Sequence, residues 1–241
     1  MEYSCITDIG LLREKNQDSY VFCRNSYGDA LMLVADGIGG SNAGEVASGE
    51  AIKYFDFAFK DSGPFDTLED AGNFLLFHVN SCNKHIRELS KKYDDYRGMG
   101  TTLTGLMVTG KGNLVLNCGD SRVYGFKDGQ IRHLTMDHTL INQWLREGKI
   151  TPEEAENHPK KHYLMKAVGI FDECEPDINE VEDMDYYLAC SDGLHAYVSD
   201  EEIAKIVLDK EKTLDEKTTD LKDLSLLKGG YDNVTVVLME K

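Results

Sequence analysis

Strand-like and helix-like segments come in blocks along this chain, and that ordering constrains the fold more than any other feature. Residues 3–8, 19–23 and 30–35 read as short strands separated by turn residues. Two helices follow. The first carries Val46, Ala47, Ala51, Ile52 and Phe55 at helical spacing, with Asn42 as N-cap and Glu45 as its capping-box partner. The second runs over about 68–89 and carries Phe74, Leu75, Phe77, His78, Cys82 and Ile86. Strand texture returns at 101–108, 114–118, 122–126 and 130–134, broken by Gly-Lys-Gly and Lys-Asp-Gly turns. A short amphipathic helix is then expected to bury Leu140, Ile141, Trp144 and Leu145, and Thr151-Pro152-Glu153-Glu154 is a helix start. A strand at 186–190, helices at 200–208 and 214–227, and a closing strand at 233–239 complete the chain. Blocks of strands and blocks of helices imply α+β with mainly antiparallel sheets, not alternating βαβ units. With no repeat and no low-complexity linker, the 241 residues read as one domain with a small appendage at about 139–165.

The charge balance narrows the function. There are 26 Lys and Arg against 43 Asp and Glu, a net charge of −17. Affinity for a phosphate backbone or an anionic lipid surface comes from clustered Lys and Arg, so neither nucleic acid nor membrane is an expected partner. The six cysteines show no C-x-x-C spacing, and several sit in apolar runs, as buried free thiols do in a reducing compartment. The opening Met1-Glu2-Tyr3-Ser4-Cys5-Ile6 has neither a basic n-region nor an apolar h-region, and no apolar stretch approaches the ~20 residues of a membrane helix. A cytoplasmic enzyme is the expectation.

Three apolar strands run into an aspartate in a small-residue turn: Asp36-Gly37, Gly119-Asp120 and Ser191-Asp192-Gly193. Asp232 immediately precedes the last strand, after Gly229-Gly230, and Asp137 closes the segment at 131–134. A single strand-end aspartate is an ordinary turn former. Recurrence beside glycine is not, because glycine allows close approach of backbone to ligand. Two unit charges 4 Å apart repel by about 4 kcal/mol at an effective dielectric near 20, so converging carboxylates need raised pKa values or bound cations. All-oxygen ligands select Mg²⁺ or Mn²⁺. The pattern implies a metal site without naming a reaction.

The motifs go further. T-D-I-G-L-L-R-E-K-N-Q-D at 7–18, V-A-D-G-I-G-G at 34–40, G-E-V-A-S at 44–48, M-G-T-T at 99–102, C-G-D-S-R at 118–122, L-T-M-D-H at 134–138, S-D-G-L at 191–194 and G-G-Y-D-N-V-T at 229–235 occur in this order over nearly the whole chain. Together they resemble the bacterial form of the metal-dependent type 2C serine/threonine protein phosphatases. The resemblance implies a four-layer α-β-β-α sandwich, two packed mainly antiparallel sheets flanked by helices. It implies hydrolysis of phosphoserine and phosphothreonine in proteins, by a metal-bridging hydroxide attacking phosphorus in line. It also implies two Mn²⁺ or Mg²⁺ ions with a third, weaker site. By position, Asp36 would bridge two metals, the Gly37 carbonyl would reach one of them directly or through water, and Asp192 and Asp232 would complete the set around the first metal. Asp137 with Asp192 would match the weak site, Arg13 would grip substrate phosphate, and Gln17 and Asp18 would orient water. Asp120 is read as structural support.

Where animal members carry a histidine able to protonate the leaving alcohol, this chain has Ile38, which cannot, so the acid is unassigned. The flap-like stretch at 140–162 holds His158 and His162, read as solvated surface histidines. Family behaviour adds a serine/threonine kinase and its targets as partners of a monomeric signalling enzyme. The alternatives are a catalytically silent phosphoprotein-binding adaptor of the same fold and a hydrolase of another small phosphoester.

Overall fold

The computed structural model describes residues 1–38, 43–156 and 158–241. In chain order the elements are β1 (Glu2–Asp8), β2 (Asp18–Arg24), β3 (Ala30–Ile38), α1 (Gly44–Lys60), α2 (Leu68–Lys92), β4 (Gly100–Thr101), β5 (Leu103–Thr109), β6 (Gly112–Cys118), β7 (Arg122–Lys127) and β8 (Gln130–His133). They continue with α3 (Leu140–Arg146), α4 (Pro152–Glu156), β9 (Asp177–Val181), β10 (Tyr186–Cys190), α5 (Asp192–His195), α6 (Asp200–Val207), α7 (Leu214–Leu227) and β11 (Val234–Glu240).

Two antiparallel sheets result. One has the order β1-β11-β10-β7-β8, and the other β2-β3-β5-β6-β9 with β4 paired to β3. Because successive side chains alternate faces, each central strand serves two cores. Met32 and Val34 of β3 meet Tyr187, Ala189, Val237 and Met239 between the sheets. Leu31, Leu33 and Ala35 of the same strand face α1 and α2, against Ala47, Phe55, Leu75 and Ile86. On the far side, Leu188, Val236 and Leu238 pack with Ile203, Val207 and Leu221 of α6 and α7. A strand covered on both faces reads as a nearly unbroken apolar run, as Leu31 to Ala35 does. The order is helix, sheet, sheet, helix, as the motifs imply.

Several expectations change in detail. The strand expected at 30–35 runs on to Ile38, so Asp36 lies inside a strand and not beyond it. The strand expected at 101–108 is broken at Thr102, whose N–H goes to the Asp36 carbonyl at 2.8 Å. Of the four residues expected under the short helix, only Ile141 is buried; α3 lies off both sheets and has little to cover it. Phe77 of α2 is 65% exposed. The Thr151 capping box forms, with Thr151 N–H on Glu154 Oε2 at 2.9 Å. Asn42, expected to cap α1, lies outside the described residues.

The two ends of the stretch between Thr139 and Leu164 lie side by side. Thr139 and Leu164 form an antiparallel bridge, Leu140 N–H donates to Tyr163 O, and Met165 N–H donates to His138 O, both at 2.8 Å. Among the described residues no helix is long and apolar enough to cross a membrane.

Candidate active site

The ends of β3 and β10, the start of β11 and the loop before β2 meet in a cleft of about 510 Å³. Arg13, Gln17, Asp36, Gly37, Asp192 and Asp232 all line it, so six of the eight residues singled out in the sequence converge. Asp18 lies directly beneath, 8% exposed.

Backbone hydrogen bonds fix Asp36. Its N–H donates to Thr102 Oγ1 at 2.9 Å, and its carbonyl accepts from Thr101 Oγ1 at 2.9 Å. Gly37 donates its N–H to the Gln17 carbonyl at 3.1 Å, and a Cβ at Gly37 would strike the carbonyls of Gly44 and Gln17. Only glycine lets β3, α1 and the loop before β2 approach this closely.

Asn233 ties that loop to β11. Its Nδ2 donates to the carbonyls of Ile9 at 2.8 Å and Lys15 at 2.9 Å, and its Oδ1 accepts from Gln17 N–H at 2.8 Å. The clamp sets Arg13 at the rim, where Nη2 meets Asp232 Oδ2 at 2.7 Å. Beneath, Ser191 Oγ donates to Asp18 Oδ2 at 2.6 Å and accepts from Thr235 N–H at 2.9 Å. Gln17 Nε2 is turned to Glu45 Oε2 at 3.2 Å.

The carboxylates are undercompensated. Burial, reinforced by the charges of Asp18 and Asp192, holds Asp36 well above the usual carboxylate range. Burial, opposed by the Ser191 and Thr235 hydrogen bonds, raises Asp18 to about 7. Burial and the Asp192 charge take Asp120 to about 7; burial and the Asp232 charge take Asp192 to about 6. Burial works against the Arg13 charge, but Asp232, Asp192 and Asp36 more than offset it. Asp18 Oδ1 and Asp192 Oδ1 are buried without a hydrogen-bond partner. Among the described residues no group of three or more metal-ligating side chains already stands as an ion cage. Asp18, Asp36, Asp120 and Asp192 therefore hold protons more tightly than ordinary carboxylates, and Asp18 and Asp192 each keep an orphaned oxygen. That donor set fits a hard divalent cation, with Asp36, Asp192 and Asp232 the residues able to hold it.

Asp137 does not line the cleft, although its charge acts on Asp120, which does. Arg122 grips Asp137 in a fork, Nε to Oδ1 at 2.8 Å and Nη2 to Oδ2 at 2.7 Å. It lines a separate cavity with His138, Lys166 and Asp177. His158 packs edge-on to Trp144, with ring centroids 5.4 Å apart. His162 is exposed, yet it lines the cleft opposite Asp192, as Ile38 does on the β3 side. Sequence reasoning passed over Asn233, Ser191 and Thr102, although each sits in a quoted motif beside an aspartate or glycine. It also passed over Tyr197 and Tyr231, whose rings stand 5.3 Å apart on the cleft wall.

The sequence pattern of the family described as Protein phosphatase 2C matches residues 13–225, spanning every element of this cleft except β11 and the residues just before it. The chain belongs to the protein phosphatase 2C family. This protein phosphatase 2C member is 37% identical to the protein phosphatase PhpP of Streptococcus pneumoniae, the match covering 99% of this chain and 97% of that one. It is 36% identical to the serine/threonine phosphatase stp of Listeria monocytogenes, over 98% of this chain and 94% of the relative. The crystal structure of the serine/threonine phosphatase Stp1 from Staphylococcus aureus superposes with a TM-score of 0.92 at 34% identity, covering 100% of this chain and 94% of that one. Membership in protein phosphatase 2C makes the chain an enzyme of the protein phosphatase class, and metal dependence is a property of that class.

Proposed function

We propose that this phosphatase hydrolyses phosphoserine and phosphothreonine in proteins, using Mn²⁺ or Mg²⁺ held by Asp36, Asp192 and Asp232 with the Gly37 carbonyl. The observation that carries the reading is the convergence of these three carboxylates with Arg13 on one cleft, with an orphaned oxygen on Asp192. When bound, two divalent cations supply Lewis-acid charge to the phosphoryl oxygens and an activated water for in-line attack at phosphorus.

The chain's own groups do the rest. The Arg13 guanidinium offers a planar fork to two phosphate oxygens, and a phosphate competes for it with Asp232. Asp18, fixed by Ser191 from below, orients the attacking water. Gln17 holds the loop that carries Arg13, through its backbone bonds to Asn233 and Gly37. Asp137 with Asp192 would take a third, weaker ion once Arg122 yields its fork. Residues 139–165 form a flap on a single catalytic domain, closed at its base and reaching the cleft through His162. The enzyme acts as a cytoplasmic monomer in signalling, on a serine/threonine kinase and that kinase's targets. Reduced, mostly buried cysteines and the acidic net charge support that setting.

The experiment is phosphate release from a phosphothreonine peptide with Mn²⁺, with Mg²⁺ and with excess EDTA, for the natural chain and Asp192→Asn. Release that needs the cation and is lost in the variant supports the reading. A folded, cation-loaded protein that binds phosphopeptide without turning it over is the adaptor. Equal turnover in Asp192→Asn removes Asp192 from the ligand set.

A further inference from the structure

Cys118 Sγ and Cys174 Sγ stand 3.0 Å apart in the reduced chain, although 56 residues separate them in sequence. Cys118 ends β6, an interior strand between β5 and β9, while Cys174 sits in the connection that leads into β9. Both are buried, Cys174 at 3% exposure. We propose that this pair is a site of reversible oxidation by hydrogen peroxide, with Cys174 attacked first and Cys118 resolving it to a disulfide.

Access and environment choose the order. A cavity of about 330 Å³ opens onto Cys174 and is lined by Met165, Lys166, Ala167 and Phe171. It admits a molecule of peroxide size, and Glu173 and Glu175 on its wall disfavour anionic oxidants. The hydrogen bond shared with Cys118 lowers the Cys174 pKa against the opposing effect of burial, with help from the Lys166 charge, whereas burial takes Cys5, Cys23 and Cys82 up to about 12. Thiolate character, a determinant of peroxide sensitivity, is therefore favoured at Cys174 over those three, and the cavity gives peroxide its access there.

The chemistry balances with peroxide alone. Cys174 sulfur attacks one peroxide oxygen, the O–O bond breaks, and the distal oxygen leaves as water after taking up a proton, giving Cys174 sulfenic acid. Cys118 sulfur then displaces that hydroxyl, the Cys118 thiol proton joins it as a second water, and the S–S bond forms at about 2.0 Å. Two thiols are oxidised and one peroxide is reduced to two waters. The required approach is about 1 Å, and the connection around Cys174 can supply it, since β6 is paired on both sides. The resulting ring spans β7, β8, α3 and α4, so oxidation ties the flap's exit to the sheet behind the cleft.

The test exposes the reduced full chain to a small excess of hydrogen peroxide, then alkylates, digests and maps the thiols by mass spectrometry. The expected result is loss of two of the six thiols, a single Cys118–Cys174 cross-linked peptide, and full recovery with dithiothreitol. Cross-linked chain should also unfold at a higher temperature than reduced chain. Cys174→Ser should lose no thiol under the same exposure. Six intact thiols, a cross-link through Cys82, or Cys174 running on to sulfinic acid would each overturn the proposal; mapping the natural chain decides it even if the variant folds poorly.

Discussion

Asp18 and Asp36 are direct cross-strand partners in the β2–β3 ladder, two carboxylates on the same face of one sheet. Like charges directly opposite are destabilising, and here Asp18 is buried and Asp36 half-buried. A folded chain tolerates this only by keeping a proton there or by receiving a cation. Asp18→Asn keeps an oxygen that can accept from Ser191 and removes one charge. The cation-free variant should therefore gain about 1 kcal/mol, roughly 2–4 °C in thermal midpoint for a chain of this size. Its turnover should fall by roughly 10–100-fold, as expected for a group that orients what the metal holds. Asp36→Asn should also fold but lose nearly all turnover. Calorimetry and phosphopeptide assays on the two variants separate the roles.

The raised carboxylates set the sign of a pH effect. Asp18 and Asp120 at about 7 and Asp192 at about 6 bind protons more tightly folded than unfolded. Their contribution is present below the unfolded value near 4 and is lost as pH rises through 6 to 7. His195 opposes them: burial lowers it to about 4, so the unfolded chain takes up its proton first and stability falls from pH 6.5 down to 4. Cations compete with the carboxylate protons only. The rise in thermal midpoint on adding Mn²⁺ should therefore be small at pH 5 and grow through pH 8, and a pH-independent rise would refute the ligand assignment.

Arg13 spends its charge on Asp232 across a half-exposed contact, free to exchange for phosphate. Arg13→Ala should cost about 1.5–3 kcal/mol of phosphate binding, a loss of roughly tenfold to a hundredfold in kcat/KM, seen mainly in KM. Arg13→Lys should recover part of it, keeping the charge without the fork. Steady-state kinetics with one phosphopeptide reads both variants.

Asn233 carries three hydrogen bonds that hold the loop of Arg13 and Gln17 to β11. At about 1 kcal/mol for each bond lost, Asn233→Ala should be destabilised by about 2–4 kcal/mol in urea unfolding. The loop should loosen as well, so KM for phosphopeptide should rise in protein that is still folded. Unchanged unfolding would show that the clamp is dispensable.

Much of this was legible because the relevant signals are local and periodic. Leu31 to Ala35 and Tyr187 to Cys190 are strands buried on both faces, and the aspartates that follow them reach the cleft as the turn residues suggest. What escaped was either short or cooperative. β9, Asp-Ile-Asn-Glu-Val, is an edge strand with no fully buried residue and no apolar run to mark it. α5 is a single turn beginning at Asp192, too brief to show a helical period. Asn233 looks like any polar turn residue until residues 9–17 arrive beside it. Asp137 reads as one more strand-end carboxylate, and nothing local reveals that Arg122, fifteen residues away, takes both of its oxygens.

The bridge between Thr139 and Leu164 has a consequence for the enzyme's history. A segment whose entry and exit lie side by side can be lengthened, shortened or exchanged for another without re-registering a single strand of either sheet. The cleft carboxylates lie outside the interval it bounds. Selection can therefore reshape the stretch between these two residues while the cleft stays fixed, and a graft joined at them is where laboratory diversification of the phosphatase should begin.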